Sequence, residues 1–400
     1  MTMHARTILL YAQDNQGLGH INRTLTIARG ILASHPDVVA YIATKSAVAS
    51  HFELPARCDY VKLPTFLAPD PCQLSTEETE AEKQRFRTIR ARILRDAALG
   101  LKPSLVLVDH EPLGSKGEFR DGLCALKAER PETRFVFGLR DIMDDPARIR
   151  ETWREMGVYG AFNDLYDGIA VYGSPALYDV SQAYGLPEPV RRKLHYCGYV
   201  VRDLPTLDPA AVRQRHQLPA NGKLVLATVG SGFDGYPVLK AAQAAVGRLN
   251  GKYPNLFTLL VTGPLMPPAE QASLRAGETS AIRVVSHADV FQLMTTADAV
   301  LCMGGYNSVC EALAVARPLV TVPRATHKIE QQIRAETLAA HGLARMVHPR
   351  DLSGERLAGA LDWALGRDPR THARLVRRII PTFDGAARVT AYLSRWLTGD

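Results

Sequence analysis

Residues 304–311 read Gly-Gly-Tyr-Asn-Ser-Val-Cys-Glu, and an apolar run, Ala297–Cys302, leads directly into them. The run predicts a short buried strand, and Asn307 and Ser308 predict the start of a helix behind it. Paired glycines let the backbone come close to a ligand, and the amides of a helix N-terminus suit an anion. The stretch therefore predicts an anion site at a strand-to-helix turn. The structural alternative is an ordinary, well-capped junction.

Two polar groups extend this site beyond the anion. Glu311 lies one helical turn after Ser308, so its carboxylate can accept hydrogen bonds from a sugar diol on the same face. About twenty residues later the chain carries Glu330-Gln331-Gln332. The pattern suits a diphosphate, a ribose and a sugar.

Working outward, apolar runs that predict strands alternate with helical segments in both halves of the chain. These runs are 8–12, 38–43, 105–108, 135–138 and 168–171 in the first half, and 224–229, 257–261, 283–285, 299–302 and 319–322 in the second. They are continuous, as expected of parallel strands buried on both faces. Strand-helix repetition predicts an α/β fold with two doubly wound, Rossmann-like sheets.

The length of 400 residues suits two domains. A strand-like run at 198–201 gives way to Pro205, Pro209 and polar sequence, which places the linker there. We predict a first domain over 1–203, a second over 204–375, and a segment 376–400 whose amphipathic helix, from about 385 to 397, packs back on the first domain. A charged helix is predicted between 74 and 102, opened by a capping box at Ser75.

Composition narrows the class of protein. With 46% apolar and 22% charged residues the chain has the composition of a soluble globular protein. It contains no apolar run of the ~20 residues that span a bilayer and no secretory signal pattern at its N-terminus, so we expect a cytoplasmic location. A net charge of +7 is modest, and no nucleic-acid-binding module is present. The six cysteines are scattered without metal-ligand spacing, which predicts neither a disulfide framework nor a metal site.

The first predicted strand ends in a loop that carries His20. Gly17 and Gly19 precede it, but the third glycine position of a dinucleotide fingerprint holds Asn22. Doubly wound folds bind ligands at this edge of the sheet, and a neutral imidazole can accept a proton from a hydroxyl there. The alternative for His20 is a helix cap.

Asp109 follows the predicted strand 105–108 and so lies at the same edge. A carboxylate there can fix the tautomer of His20 and stabilise its cation. The sequence leaves His110 and Glu111 open as alternatives, and a local capping role for Asp109.

The second half opens with a strand and the loop Gly230-Ser231-Gly232-Phe233-Asp234-Gly235. The spacing is that of a nicotinamide enzyme, but no acid follows at the end of the next strand, 257–261, so that interpretation weakens. A loop whose amides and Ser231 hydroxyl hold phosphate oxygens remains. His287, after the strand 283–285, lies where a base could rest against the backbone, or in a structural turn.

Taken in order, these motifs resemble GT-B glycosyltransferases, most closely the MurG branch and the related UDP-glycosyltransferases, whose donor signature reads Gly-Trp-Asn-Ser-x-x-Glu followed by Asp-Gln. The stretch from Val322 to Ala335 resembles a group of predicted bacterial glycosyltransferases close to MurG. The resemblance covers nearly the whole chain and implies two Rossmann-like domains facing across a cleft, the first binding the acceptor and the second the nucleotide-sugar.

The resemblance also implies roles for individual residues. His20 matches the general base and Asp109 the residue that orients it. Glu311 would bind the ribose, and Glu330 and Gln331 the transferred sugar. The full set of predicted donor residues is Gly19, Gly230, Ser231, Gly232, His287, Gly304, Gly305, Asn307, Ser308, Glu311, Glu330 and Gln331.

The expected reaction is inverting, metal-independent transfer from a nucleotide-sugar, most simply a UDP-sugar, to an acceptor hydroxyl, with no further cofactor. Peripheral membrane contact is expected only for a lipid-linked acceptor, and no nucleic-acid partner is expected. The alternatives are a nonhydrolysing UDP-sugar 2-epimerase on the same fold and a catalytically inactive sugar-nucleotide-binding protein. Two residues depart from the family pattern: Met303 replaces a diphosphate-contacting histidine, and Arg317 replaces a glycine.

Overall fold

The computed structural model describes residues 5–13, 19–46, 49–65, 76–203, 208–326 and 328–398. Its contacts divide the chain into two compact units. The first contains the chain up to residue 175, residues 179–200 and the segment from 384 onward, and the second contains 176–178 and 201–383. Gly17 and the predicted capping box at Ser75 lie outside the described residues.

The first unit is built on a parallel sheet buried by helices. Its strands are β1 (Arg6–Ala12), β2 (Val38–Thr44), β3 (Cys58–Lys62), β4 (Leu105–Asp109), β5 (Arg134–Arg140), β6 (Gly168–Tyr172) and β7 (Leu194–Tyr196). Its helices before the second unit are α1 (Gly19–Ser34), α2 (Thr76–Leu101), α3 (Arg120–Glu129), α4 (Pro146–Glu155), α5 (Val158–Asp164), α6 (Val180–Ala183) and α7 (Glu188–Arg191).

The strand order of this sheet is β3-β2-β1-β4-β5-β6-β7, and every pairing is parallel. The order reverses direction between β1 and β4, which makes their carboxyl ends the topological switch point. Open α/β sheets bind ligands at that point. His20 lies early in α1, behind β1, and Asp109 is the last residue of β4. The topology therefore brings these two residues to the switch point.

The second unit repeats this architecture. Its strands are β8 (Leu224–Thr228), β9 (Phe257–Val261), β10 (Ile282–Val285), β11 (Ala299–Cys302), β12 (Leu319–Thr321) and β13 (Ala344–Met346). Its helices are α8 (Pro209–Arg215), α9 (Tyr236–Leu249), α10 (Pro268–Arg275), α11 (Val290–Met294), α12 (Tyr306–Ala314), α13 (Glu330–Ala340), α14 (Gly354–Leu365) and α15 (Pro369–Ile379).

The second sheet has the order β10-β9-β8-β11-β12-β13, again with parallel pairings throughout. Its switch point lies between β8 and β11. The Gly230–Gly235 loop follows β8, and Gly304 and Gly305 follow β11. Both glycine motifs therefore lie at the carboxyl ends of neighbouring strands.

The last helix of the chain, α16 (Gly385–Ser394), packs against α1 in the first unit. Two glycines make the approach close: a Cβ on Gly30 would lie 2.3 Å from Thr390 Oγ1, and one on Gly168 would lie 2.1 Å from the hydroxyl of Tyr392. His35 Nε2 and Ser394 Oγ are 2.7 Å apart. Residues 376–383, which the sequence groups with this helix, belong to the second unit.

Several local features differ from the sequence predictions. The edge strands β3, β7 and β13 are not predicted, since they are short or carry polar residues. The cap of α12 is Gly305, so Asn307 and Ser308 are the second and third residues of the helix and do not cap it. α16 ends at Ser394 and not near residue 397. Among the described residues, no helix is long and apolar enough to cross a membrane.

Candidate active site

The first sheet carries a histidine–carboxylate pair at its switch point. His20 Nδ1 lies 2.7 Å from Asp109 Oδ2, and the side chains are 15% and 2% exposed. The contact through Nδ1 orients the ring, and a base of the triad type acts through the other ring nitrogen, Nε2. The structure thus pairs His20 with Asp109. The ring of His110 lies beside that of His20, with centroids 4.6 Å apart.

A third residue, Arg23, completes this cluster and has no predicted role. Its Nε and Nη2 make three hydrogen bonds to the two carboxylate oxygens of Asp109, at 3.1, 3.0 and 2.7 Å. Nη2 also lies 2.8 Å from His20 Nδ1. The signal in the sequence is spacing: Arg23 is three residues after His20, so both face the same side of α1. We call His20, Asp109 and Arg23 the His–Asp–Arg cluster.

Burial and charge fix the ionisation of the cluster. Burial lowers the pKa of His20 to about 4, although the hydrogen bond and charge of Asp109 act to raise it; the charges of Arg23 and Arg140 lower it further. Burial acts to raise the pKa of Asp109, but Arg23 and His20 outweigh it and hold that pKa below its usual value. At neutral pH the cluster is therefore a neutral imidazole beside an ionised carboxylate and a guanidinium. The imidazole is therefore in the form that can accept a proton.

In the second unit, the loop after β8 has a backbone that favours glycine. Gly230 has φ +65° and Gly232 has φ +93°, both in the left-handed region. A Cβ on Gly232 would lie 2.1 Å from the carbonyl oxygen of Thr262, whereas one on Gly230 would meet nothing within 4 Å. Gly232 is therefore required for close packing of the loop, and Gly230 for its turn.

This difference predicts unequal effects of two alanine substitutions. Gly230→Ala should destabilise the second unit by about 1–2 kcal/mol, the strain of a left-handed residue. Gly232→Ala adds a collision with backbone and should cost more than about 3 kcal/mol, a shift of roughly 6 °C or more in Tm for a unit of this size. Differential scanning calorimetry of both variants checks this prediction. Equal Tm values would contradict it.

The second glycine motif is pinned by a buried arginine. Gly304 has φ +74°, and its carbonyl oxygen accepts a 3.0 Å hydrogen bond from Arg334 Nη1. A Cβ on Gly304 would lie 3.2 Å from the carbonyl oxygen of Gln331, so α12 and α13 begin close together. Gly305 caps α12 without a side-chain acceptor. The polar side chains of Asn307 and Ser308 are half-buried in the first turn of the same helix.

Glu311 is held by a second arginine without a predicted role. Arg202 Nε lies 2.9 Å from Glu311 Oε1, and Arg202 Nη2 lies 3.3 Å from Oδ1 of Asp289, the cap of α11. Burial raises the pKa of Glu311, which is 7% exposed, although Arg202 acts in the opposite direction. An ionised carboxylate accepts about four hydrogen bonds, so this pairing leaves acceptor capacity for a ligand.

The remaining predicted donor residues lie at the starts of two helices and on one loop. Gln331 is buried in the first turn of α13, and its Oε1 accepts a 3.0 Å hydrogen bond from the backbone N–H of Arg324. Glu330 is the first residue of α13. His287 is exposed after β10, with Nδ1 3.1 Å from Ser286 Oγ. Gly19 begins α1 in the first unit, beside His20.

In the part of the chain that the structure describes, no group of three or more His, Cys, Asp or Glu residues is placed to hold a metal ion. Independence from metal stays a prediction, as does the absence of a cofactor.

The chain is similar to known proteins in sequence and in fold. Residues 224–374 match the glycosyltransferase family 28 C-terminal domain. An uncharacterized glycosyltransferase of Methanopyrus kandleri is 25% identical over 239 residues, which cover 57% of this chain and 64% of that protein. The chain thus spans less than two thirds of this relative.

Solved structures match over almost the whole length. A UDP-glucosyltransferase from Polygonum tinctorium superposes with a TM-score of 0.67 at 15% identity, covering 100% of both chains. MurG of Acinetobacter baumannii superposes with a TM-score of 0.61 at 12% identity, covering 98% of this chain and 99% of that one. The resemblance to the MurG and UDP-glycosyltransferase group is confirmed. The chain has the GT-B fold, and its residues 224–374 are similar to the glycosyltransferase family 28 C-terminal domain.

Proposed function

We propose that the protein is an inverting glycosyltransferase that moves a sugar from a nucleotide-sugar to an acceptor hydroxyl. The observation that carries the proposal is the His–Asp–Arg cluster, in which a neutral, oriented imidazole lies at the switch point of the first sheet. The match of the second unit to a glycosyltransferase domain family supports the donor half of the reaction.

In the proposed reaction, an acceptor hydroxyl gives its proton to His20 Nε2, and its oxygen attacks the anomeric carbon. The bond from that carbon to the diphosphate oxygen breaks, and its electron pair leaves with the diphosphate. Attack from the face opposite the leaving group inverts the anomeric centre. Asp109 stabilises the imidazolium that forms, because its carboxylate is already ionised and in contact with Nδ1.

We assign the donor to the loops of the second unit. The Gly230–Gly232 loop with Ser231, and the first turn of α12 with Asn307 and Ser308, would hold the diphosphate. Glu311 would accept hydrogen bonds from both ribose hydroxyls, which favours UDP over dTDP. Glu330 and the amide of Gln331 would contact the sugar, and His287 the base. The UDP-glucosyltransferase among the structural neighbours supports a uridine nucleotide.

The test is a product analysis of the full chain with UDP-, dTDP- and GDP-sugars and a panel of hydroxyl acceptors. We expect release of the nucleoside diphosphate together with a new glycoside. A donor epimer that forms without nucleotide release would instead indicate a 2-epimerase. Binding of the nucleotide without either product would indicate a binding protein.

A further inference from the structure

An ion pair joins two loops at the carboxyl edge of the second sheet. Asp234, in the loop after β8, forms a two-point contact with Arg324, in the loop after β12: Nε bonds to Oδ2, and Nη2 lies 2.7 Å from Oδ1. The backbone N–H of Arg324 is in turn bonded to Gln331, beside Gly304. This contact, the Asp234–Arg324 bridge, therefore links the loops proposed to hold the diphosphate and the sugar.

The charges of these loops make the bridge informative. Residues 230–235 and 303–305 contain no Lys or Arg, and Asp234 is their one carboxylate. An uncompensated carboxylate would repel a diphosphate within a few ångströms. Arg324 removes that repulsion. In the described part of the loops after β8, β11 and β12, Arg324 is the cation held against the glycine loop.

The bridge by itself contributes little to the stability of the fold. The side chains of Arg324 and Asp234 are 43% and 36% exposed. Ion pairs as exposed as this contribute about 1 kcal/mol or less to stability. The bridge nevertheless sets the orientation of the Arg324 guanidinium. The hydrogen bond from the backbone N–H of Arg324 to Gln331 holds its loop. Such positioning suits a residue that binds a ligand.

The guanidinium retains donors for that ligand. It carries five N–H groups. Asp234 accepts hydrogen bonds from the one on Nε and from one of the two on Nη2. Within the described residues, Nη1 makes no hydrogen bond. Arginine binds phosphate oxygens through two such parallel donors, and these charge-assisted bonds are stronger than neutral ones.

We propose that Arg324 binds the diphosphate of the donor and stabilises the charge that the leaving group gains as the anomeric carbon–oxygen bond breaks. This inference rests on the proposed function. Arg324 is then the cation that compensates for Met303, which replaces the histidine expected there from the family resemblance. Asp234 acts as the positioning residue, since it orients the guanidinium with Nη1 directed away from the bridge.

The test is isothermal titration of the full chain with UDP, dTDP and GDP, and with their nucleosides. Arg324→Gln should weaken binding of the preferred nucleoside diphosphate about 10- to 100-fold, the effect of losing one charge-assisted contact. Binding of the matching nucleoside should change less than about 2-fold. Arg324→Lys should retain part of the affinity, since it keeps the charge without the planar fork.

Two control variants distinguish direct contact of Arg324 with the phosphates from a clamp, in which the bridge only holds the two loops together. Asp234→Asn removes the ion pair but keeps the guanidinium, so it should weaken diphosphate binding through lost orientation alone, by less than Arg324→Gln does. Arg370→Gln removes an exposed arginine on α15 and should change neither affinity.

Equal losses in Asp234→Asn and Arg324→Gln, for nucleotide and nucleoside alike, would overturn the inference, because a clamp would then explain both. Unchanged diphosphate affinity in Arg324→Gln would overturn it while leaving the proposed function standing. Failure of the unmodified protein to bind any nucleoside diphosphate would overturn both.

Discussion

Replacing His20 with alanine is expected to lower kcat by about 10²- to 10⁴-fold, the contribution of a positioned general base. Donor affinity should stay unchanged, because the proposed donor residues other than Gly19 lie in the second unit. Stability should fall little, since Asp109 keeps its hydrogen bonds to Arg23. Steady-state kinetics with the donor identified by product analysis, together with titration of the nucleotide, measure both effects.

His341→Ala is the matched control. His341 is an exposed histidine at the end of α13, so its loss should leave kcat within about 2-fold. A His20→Ala variant that keeps more than a tenth of the kcat would remove His20 from the mechanism.

The ionisation of His20 gives the same account a second readout. Because burial lowers its pKa to about 4, the imidazole is neutral above that pH and takes up a proton only as the pH falls toward 4. Its NMR signals should therefore not titrate between roughly pH 5.5 and 8. Because the pKa of His20 is lower in the folded protein than its usual 6.5, the contribution of His20 to stability is fully present above about pH 6.5. That contribution is lost as the pH falls from there to about 4. An NMR midpoint near 6.5 would contradict the burial of the cluster.

The second large effect concerns stability. Arg23→Met leaves the carboxylate of Asp109 buried without its strongest partner, and such a loss destabilises a protein by about 3–5 kcal/mol. The side chains of Arg23 and Asp109 are 1% and 2% exposed, so water cannot replace the guanidinium. The pKa values of Asp109 and His20 should both rise, because the positive charge that lowers them is gone. Urea denaturation of the variant measures the loss.

A double variant separates stability from chemistry. Arg23→Met combined with Asp109→Leu removes both charges, so it should recover most of the stability lost in Arg23→Met alone. It should not recover transfer activity, since His20 then lacks its orienting carboxylate. Arg192→Met, which breaks an exposed pair with Glu188, should be nearly neutral. An Arg23→Met variant with an unchanged free energy of unfolding would contradict this prediction, because the buried pair would then contribute little to stability.

The parallel core of both sheets could be predicted from the sequence because its strands are buried on both faces. Residues 105–108 of β4 and 224–227 of β8 are continuous apolar runs, and the residue types identify them without knowledge of their neighbours. The edge strands could not be predicted in this way. β13, for example, has three residues with an exposed arginine at its centre, and only pairing with β12 makes it a strand.

The same distinction between local and long-range determinants applies to the candidate site. Glycine turns and the histidine at the first switch point depend on local backbone needs, so motif spacing predicts them. Arg23 and Arg324 depend on partners 86 and 90 residues away, and no local pattern shows which charges will meet. The sequence therefore predicts the loops of the site but not the arginines that hold their carboxylates.

The most direct test of the proposed displacement is the anomeric configuration of the product, followed by proton NMR during turnover. We predict a glycoside whose configuration is opposite to that of the donor, formed in step with the free nucleoside diphosphate and lost in His20→Ala. A product with the donor's own configuration, or an epimerised donor with no nucleotide released, would contradict direct attack by a hydroxyl that His20 deprotonates.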